Sequence, residues 1–256
     1  MTLAAAPVFR PLWARDLVPR KCLVGEKVAE DRVHDEVGES TWRRVIFGKS
    51  ERMWTFEHRD MPRLMAHRPT ARFLEVGGGL CYASAVVKLA YPEATVTATD
   101  LSLNYLNNHA IRLGVFMGSP VDVYAAADAE DLPFPDESFD AIFSQMLLYR
   151  LADPFAALRS IRRVLAPGGI YLGIERASPW CWPWLDRERR EMTARNRSRR
   201  GETMERPWTR AQWAGLVRPL RPAIRVEWIP GRFPRHAVNV ARAAHVALVM
   251  ERTDGR

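Results

Sequence analysis

Short apolar runs rich in β-branched and aromatic residues recur along the chain: Arg72–Val76, Thr95–Thr99, Val121–Ala125, Phe139–Phe143, Ile170–Ile174, Ile224–Ile229 and His245–Met250. Each has the length and composition of a buried strand. Helical spacing or turns separate the first five, which is the alternation expected of parallel βαβ units. The clearest helix is "DPFAALRSIRRVLAPGG", in which Phe155, Leu158, Ile161 and Leu165 share one face. Asp153 is placed to cap its N-terminus and Pro154 suits its first turn. Pro167, Gly168 and Gly169 are expected to end it and turn the chain into the next strand.

Outside this alternation the pattern changes. Residues 1–70 read as a loop followed by helices, with Thr41–Phe47 and Met53–Met65 as the helical pieces. Residues 178–222 begin with the aromatic, proline-broken "SPWCWPWL" and continue as a charged helix. No internal repeat or low-complexity linker appears, so the chain reads as one domain with two decorations.

Composition narrows the class. A chain of 256 residues that is 47% hydrophobic can bury a full core. No apolar run approaches the roughly 20 residues needed to span a bilayer. The start, "MTLAAAPVFRPLWARD", has no basic segment before its apolar patch and carries two prolines, which argues against a secretory leader. Cys22, Cys81 and Cys181 are odd in number and widely spaced; they form no metal motif and point to reduced thiols in a cytoplasm. The formal net charge is +8, and Lys21, Lys27, Lys49 and Lys88 are the only lysines. An arginine-rich surface of this kind is either simply solvated or faces an acidic partner.

The chemistry concentrates in "RFLEVGGGLCYASAVVKLAYPEATVTATD", Arg72 to Asp100, where a strand runs into three glycines, a helix and a second strand ending on an acid. A phosphate-cradling P-loop would need Gly-Lys-Ser/Thr at its end, and none follows Gly79. The dinucleotide pattern G-x-G-x-x-G is met at Gly77 and Gly79 and lost at Tyr82. Glu75 adds a charge argument: a carboxylate beside the turn repels a pyrophosphate at the helix N-terminus and suits a ligand with positive charge. S-adenosylmethionine carries an ammonium and a sulfonium and no phosphate.

In order and spacing, "FLEVGGGLCYAS", "VTATDLS", "AADAEDLPFPDESFDAIFS" and "DPFAALRSIRRVLAPGGIYLG" resemble the class I S-adenosylmethionine-dependent methyltransferases, most closely their small-molecule branch. The resemblance covers about residues 70–176, and the runs near 224–229 and 245–250 fit the family's last two strands. It implies an α/β, Rossmann-like, seven-stranded mixed sheet with helices on both faces and the last strand antiparallel. It also implies an N-terminal helical lid (1–70), a cofactor-binding core (71–176), an acceptor-side insertion after strand five (177–223) and the closing strands (224–256). By the same resemblance Glu75, Gly77 and Gly79 line the methionine part of the cofactor. Asp100 accepts from both ribose hydroxyls, Leu101 packs on adenine, and Asp128 with the Ala129 N–H meets the adenine edge. Gln145 falls near the methionyl end.

Two positions depart from the family pattern. Cys81 replaces the third glycine of acid-x-G-x-G-x-G, so a positive φ there would carry a cost. A thiol at a helix N-terminus can also be activated, although a small space-filling residue is the plainer reading. Tyr149 and Arg150 stand where many relatives have two histidines, and no base can be carried over by analogy.

All nine tryptophans lie outside residues 71–176, which points to an apolar or aromatic organic acceptor under an aromatic lid, or to rings that only pack the decorations onto the core. Methyl transfer is an in-line displacement that alignment and exclusion of water can largely carry. If the acceptor must lose a proton, the candidates are Tyr149, Arg150, His34, Glu175 and His236. No metal constellation is visible. The expectation is therefore a cytoplasmic enzyme of secondary-metabolite type acting on a small molecule, with no membrane span, a homodimer allowed, and nucleic acid a less favoured partner. Two alternatives stay open. "RERREMTARNRSRR" and the net charge fit an RNA-modifying methyltransferase, although "SQML" stands where base-modifying relatives carry N/D-P-P-Y/F. A non-methylating protein on the same fold is the other.

Overall fold

The computed structural model describes residues 56–103, 106–118, 121–178, 208–220, 224–229 and 244–252. Its strands are β1 (Arg72–Val76), β2 (Thr95–Asp100), β3 (Val123–Ala126), β4 (Phe139–Gln145), β5 (Leu165–Ser178), β6 (Trp208–Thr209), β7 (Ile224–Ile229) and β8 (Ala244–Glu251). Its helices are α1 (Met61–Met65), α2 (Tyr82–Ala90), α3 (Ile111–Phe116), α4 (Pro154–Val164) and α5 (Arg210–Val217). Phe56–Asp60 and Leu106–Ala110 are π-helical turns that lead into α1 and α3.

Seven strands form a mixed sheet in the order β3-β2-β1-β4-β5-β8-β7, and the two-residue β6 pairs alongside β5. The first five are parallel; β8 runs antiparallel to both β5 and β7. The seven-stranded mixed sheet expected from the sequence is thus present, with β8 as its antiparallel strand. The lid piece Thr41–Phe47 and, of "SPWCWPWL", everything after Ser178 lie outside the described residues.

Strand alternation sorts the core into two layers. Leu74, Ile142, Tyr171, Val246, Leu248 and Met250 face α4 and α5, where Leu158, Ile161, Trp213 and Val217 meet them. Phe73, Ala141, Phe143, Leu172, Ala247 and Val249 face the other way, against Phe56, Leu64, Val86, Val87 and Leu106. A parallel sheet covered on both faces needs apolar residues at consecutive positions, which is why these strands read as unbroken apolar runs.

Asp153 caps α4 as expected, its Oδ1 accepting from the N–H groups of Phe155 (3.0 Å) and Ala156 (2.9 Å). Two details differ from the sequence reading. Phe155 lies at the edge of the buried face, with Arg159 stacked 4.9 Å over its ring, while Ala157 and Val164 complete that face. The helix ends at Val164, and Pro167, Gly168 and Gly169 lie inside β5 rather than before it. Arg252 at the end of β8 explains the extension: Gly168 donates to its carbonyl at 2.7 Å, and its N–H donates to Gly169 at 3.1 Å. Gly168, at φ +72°, supplies the local bend, and the pairing with β4 slips between Phe139 and Ala141.

Candidate functional site

The sheet order reverses between β1 and β4, and the crevice at the carboxyl ends of such strands is where open α/β sheets hold ligands. The register sets the residues around it. Glu75 lies at the end of β1 and Asp100 ends β2; Asp100 pairs with Ala126 on β3, two residues before Asp128. Ser144 pairs with Val76, so Gln145 follows beside the start of the glycine turn. The fold therefore gathers Glu75, Gly77, Gly79, Asp100, Leu101, Asp128, Ala129 and Gln145 along one end of four parallel strands.

The glycine turn is shaped by sterics. Gly77 and Gly79 have φ of +64° and +57°, and a Cβ on Gly77 would come within 2.5 Å of Leu147 Cδ1. Gly78 is equally confined, since a Cβ there would meet Glu75 Cδ at 2.8 Å. Gly78 donates to the Thr99 carbonyl at 2.8 Å, which ties the turn to β2. Cys81 does take the left-handed conformation that a glycine would accept freely, at φ +52°. Its side chain is fully buried. Burial, with the charges of Glu75 and Asp100, holds the thiol well above its ordinary range. Such a thiol is not an activated nucleophile; Cys81 fills space.

Glu75 is turned under the glycines rather than toward open crevice. Its Oε2 accepts the Ser84 N–H at 2.8 Å, and Cys81, the N-cap of α2, makes no side-chain capping bond. The carboxylate thus takes the capping role at a helix end whose N–H groups attract anions. Burial, reinforced by the Asp100 charge and opposed by the Ser84 and Ala83 bonds, pushes its carboxyl up to about 7. Asp100 is nearly buried; its Oδ2 accepts from Gly79 N–H at 2.8 Å and its Oδ1 from Ser102 N–H at 3.0 Å. Asp128, also buried, accepts from the Glu130 N–H at 3.0 Å and starts the turn that holds Ala129. Leu101 and Gln145 are half-buried.

The turn after β4 carries the acceptor-side candidates. Tyr149 is buried and Arg150 exposed, and Arg150 Nε donates to the Tyr149 hydroxyl at 3.1 Å. Glu175, inside β5 and one residue past the strand's last pair with β4, is fully buried, and its Oε1 accepts from the N–H groups of Leu147 (3.1 Å) and Leu148 (2.9 Å). His34, His236, Trp180, Trp182 and Trp184 lie outside the described residues. Trp213 is completely buried in the core cluster that also holds Ile224, Val246, Leu248 and Met250, and belongs to packing. The Glu75–Ser84 cap, the Leu147–Gly77 contact and the Glu175 bonds have no signal in the sequence, because each depends on where a side chain turns after the strands are placed. Among the described residues no group of His, Cys, Asp and Glu is arranged to hold a metal, and no helix is long and apolar enough to cross a membrane.

Five likenesses bear on this site. A family model described as "Methyltransferase domain" matches residues 74–173. Over 119 residues the chain is 36% identical to the ubiquinone/menaquinone biosynthesis C-methyltransferase UbiE of Vibrio parahaemolyticus, covering 45% of each protein. Over 141 residues it is 34% identical to the protein of that name from Teredinibacter turnerae, covering 53% of each. The match spans about half the length of these relatives. Among solved structures, the YcgJ protein from Bacillus subtilis superposes with a TM-score of 0.56 at 20% identity, covering 77% of this chain and all of that one. A phosphoethanolamine N-methyltransferase 2 from Haemonchus contortus, in complex with S-adenosyl-L-methionine, superposes with a TM-score of 0.60 at 18% identity, covering 78% of this chain and 53% of that one.

Proposed function

We propose that the chain is a class I S-adenosylmethionine-dependent methyltransferase that transfers a methyl group to a small, apolar or aromatic organic acceptor of secondary-metabolite type. One observation carries the reading: the helix N-terminus after the glycine turn, where a phosphate would sit, is already filled by the chain's own Glu75 carboxylate. A second carboxylate, Asp100, supports the glycine turn from β2. Two acids and a bare turn disfavour a pyrophosphate and favour a cationic, phosphate-free nucleoside.

In this reading the cofactor, when bound, supplies an electrophilic methyl group on a positive sulfur. Glu75, Gly77 and Gly79 border its amino-acid end, Asp100 accepts from the ribose hydroxyls, and Leu101, Asp128 and Ala129 meet the adenine. Gln145 lies nearest the methionyl part. Arg150 is a candidate to orient the acceptor, and Tyr149 or His34 to orient it or take its proton, as the acceptor's electron pair forms the new bond to carbon and the carbon–sulfur bond breaks. Alignment and exclusion of water supply most of the acceleration in such a displacement. Residues 1–70 and 177–223 serve as lid and acceptor-side insertion around the core of 71–176 and 224–256. An aromatic acceptor is supported by the tryptophans of those segments and by the relatives' names, which specify C-methylation in quinone biosynthesis. The reading places the enzyme in the cytoplasm, acting on a free small molecule, with a homodimer compatible.

The test is incubation of the purified protein with methyl-labelled S-adenosylmethionine and fractionated host metabolites. Label in an apolar fraction, with equimolar S-adenosylhomocysteine, is the expected result. Label in RNA, or cofactor binding with no turnover on any fraction, would replace this reading with one of its two rivals.

A further inference from the structure

The buried carboxylate of Glu175 meets the turn that follows β4. Its Oε1 accepts two backbone N–H groups, from Leu147 and Leu148, which occupy that oxygen's lone pairs. Oε2 is buried and has no hydrogen-bond partner among the described residues. The polar neighbours are few. Tyr171, on the same face of β5, has its phenol 3.0 Å from Ser144 Oγ of β4, and Gly173 between Tyr171 and Glu175 leaves space for that ring, since a Cβ there would come within 2.2 Å of the hydroxyl. Tyr149 and Arg150 lie on the turn itself. From β8 the facing residue is Val246, and α5 packs Trp213 and Val217 on this side of the sheet.

The Leu147 side chain of the turn lies against Gly77 of the glycine loop. Resting on the methyltransferase reading above, we propose that Glu175 is a positioning residue for the cofactor seat: ionised, it grips the Leu147 and Leu148 N–H groups and holds Leu147 against Gly77; protonated at Oε2, it slackens that grip. Hydrogen bonds to an ionised acceptor are about twice as strong as neutral ones. Burial pushes this carboxyl up to about 7, against the pull of the Leu148, Leu147 and Tyr149 N–H groups and of the Arg150 charge, so both forms are populated under neutral conditions. Glu75 titrates in the same range, and the two contributions must be separated.

The experiment is calorimetric titration of the full-length protein with S-adenosylhomocysteine between about pH 5.5 and about pH 8.5, for the wild type, Glu175→Gln, Glu75→Gln and Leu147→Ala. The wild type should bind more tightly as pH rises. Glu175→Gln should remove about fivefold of that rise, Leu147→Ala should remove the same part, and Glu75→Gln should keep it. A Glu175→Gln profile that overlays the wild type, or a rise abolished by Glu75→Gln alone, overturns the proposal. If Glu175→Gln does not fold, the wild type and Leu147→Ala decide: a flat wild-type profile, or a rise unchanged in Leu147→Ala, overturns it. Absence of binding by the wild type at every pH overturns the methyltransferase reading itself, and the positioning role with it.

Discussion

Glu75 Oε2 accepts the backbone N–H of Ser84 at 2.8 Å, so the acid that precedes the glycine turn caps the helix that follows it. A helix start of this kind ordinarily recruits an anion from a ligand. Here the anion is covalently part of the chain, and the turn above it is left for a ligand without phosphate.

That arrangement has a cost in stability that depends on pH. The carboxyl of Glu75 sits at about 7 in the folded protein against an ordinary 4.5. Between those values the folded state binds the proton more tightly than the unfolded state, so stability falls as pH rises through this window and is level above it. The full effect is on the order of 3 kcal/mol. Glu75→Gln keeps an acceptor for Ser84 and removes the charge. Urea midpoints should show the variant gaining on the wild type at pH 8, with the gain shrinking toward pH 4.5, while its affinity for S-adenosylmethionine drops. An equal difference at both pH values would contradict the assignment.

Gly77 and Leu147 should be energetically coupled. Gly77→Ala forces a Cβ to within 2.5 Å of Leu147 Cδ1 and places alanine at φ +64°. The loss should be about 2–4 kcal/mol, combining overpacking and backbone strain. Leu147→Ala removes the clash but not the strain, so in the double variant part of the loss should return. A double-mutant cycle on unfolding free energy measures this, and additive values would show that the two residues do not touch.

Cys81 gives a test of sign. Replacement by alanine keeps the left-handed strain and loses the buried sulfur; replacement by glycine loses the sulfur and relieves about 1 kcal/mol of strain. Cys81→Gly should therefore be the more stable of the two variants, reversing the usual order of alanine over glycine near a helix. Denaturant midpoints decide it, and a more stable Cys81→Ala would mean that the residue does not hold φ near +52° in solution.

The sheet was legible in the sequence because each strand is a short apolar run between turn residues, and because burial on both faces makes that run continuous. Asp153 was legible as a cap for a local reason: its partners, Phe155 and Ala156, are within three residues. What was not legible depends on distant partners. Pro167-Gly168-Gly169 reads as a helix stop and becomes part of a strand because Arg252 bonds to it. Trp213 reads as part of an acceptor-side insertion, yet it is fully buried in the core cluster on the α4 and α5 side of the sheet. Glu75 was legible as an acid beside the turn, but its direction, into the α2 N-terminus, follows from the left-handed Cys81 leaving the cap unfilled. Glu175 stood out only as a carboxylate after a strand; its hold on Leu147 and Leu148 needed the register of β4 against β5.

The most direct test of the account is a paired calorimetric titration of the wild-type protein, at one pH near neutrality, with S-adenosylmethionine and with NAD. A helix N-terminus already filled by Glu75, with a second acid, Asp100, under the glycine turn, predicts saturable one-to-one binding of S-adenosylmethionine and no measurable binding of NAD. Saturable binding of NAD with none of S-adenosylmethionine would contradict it.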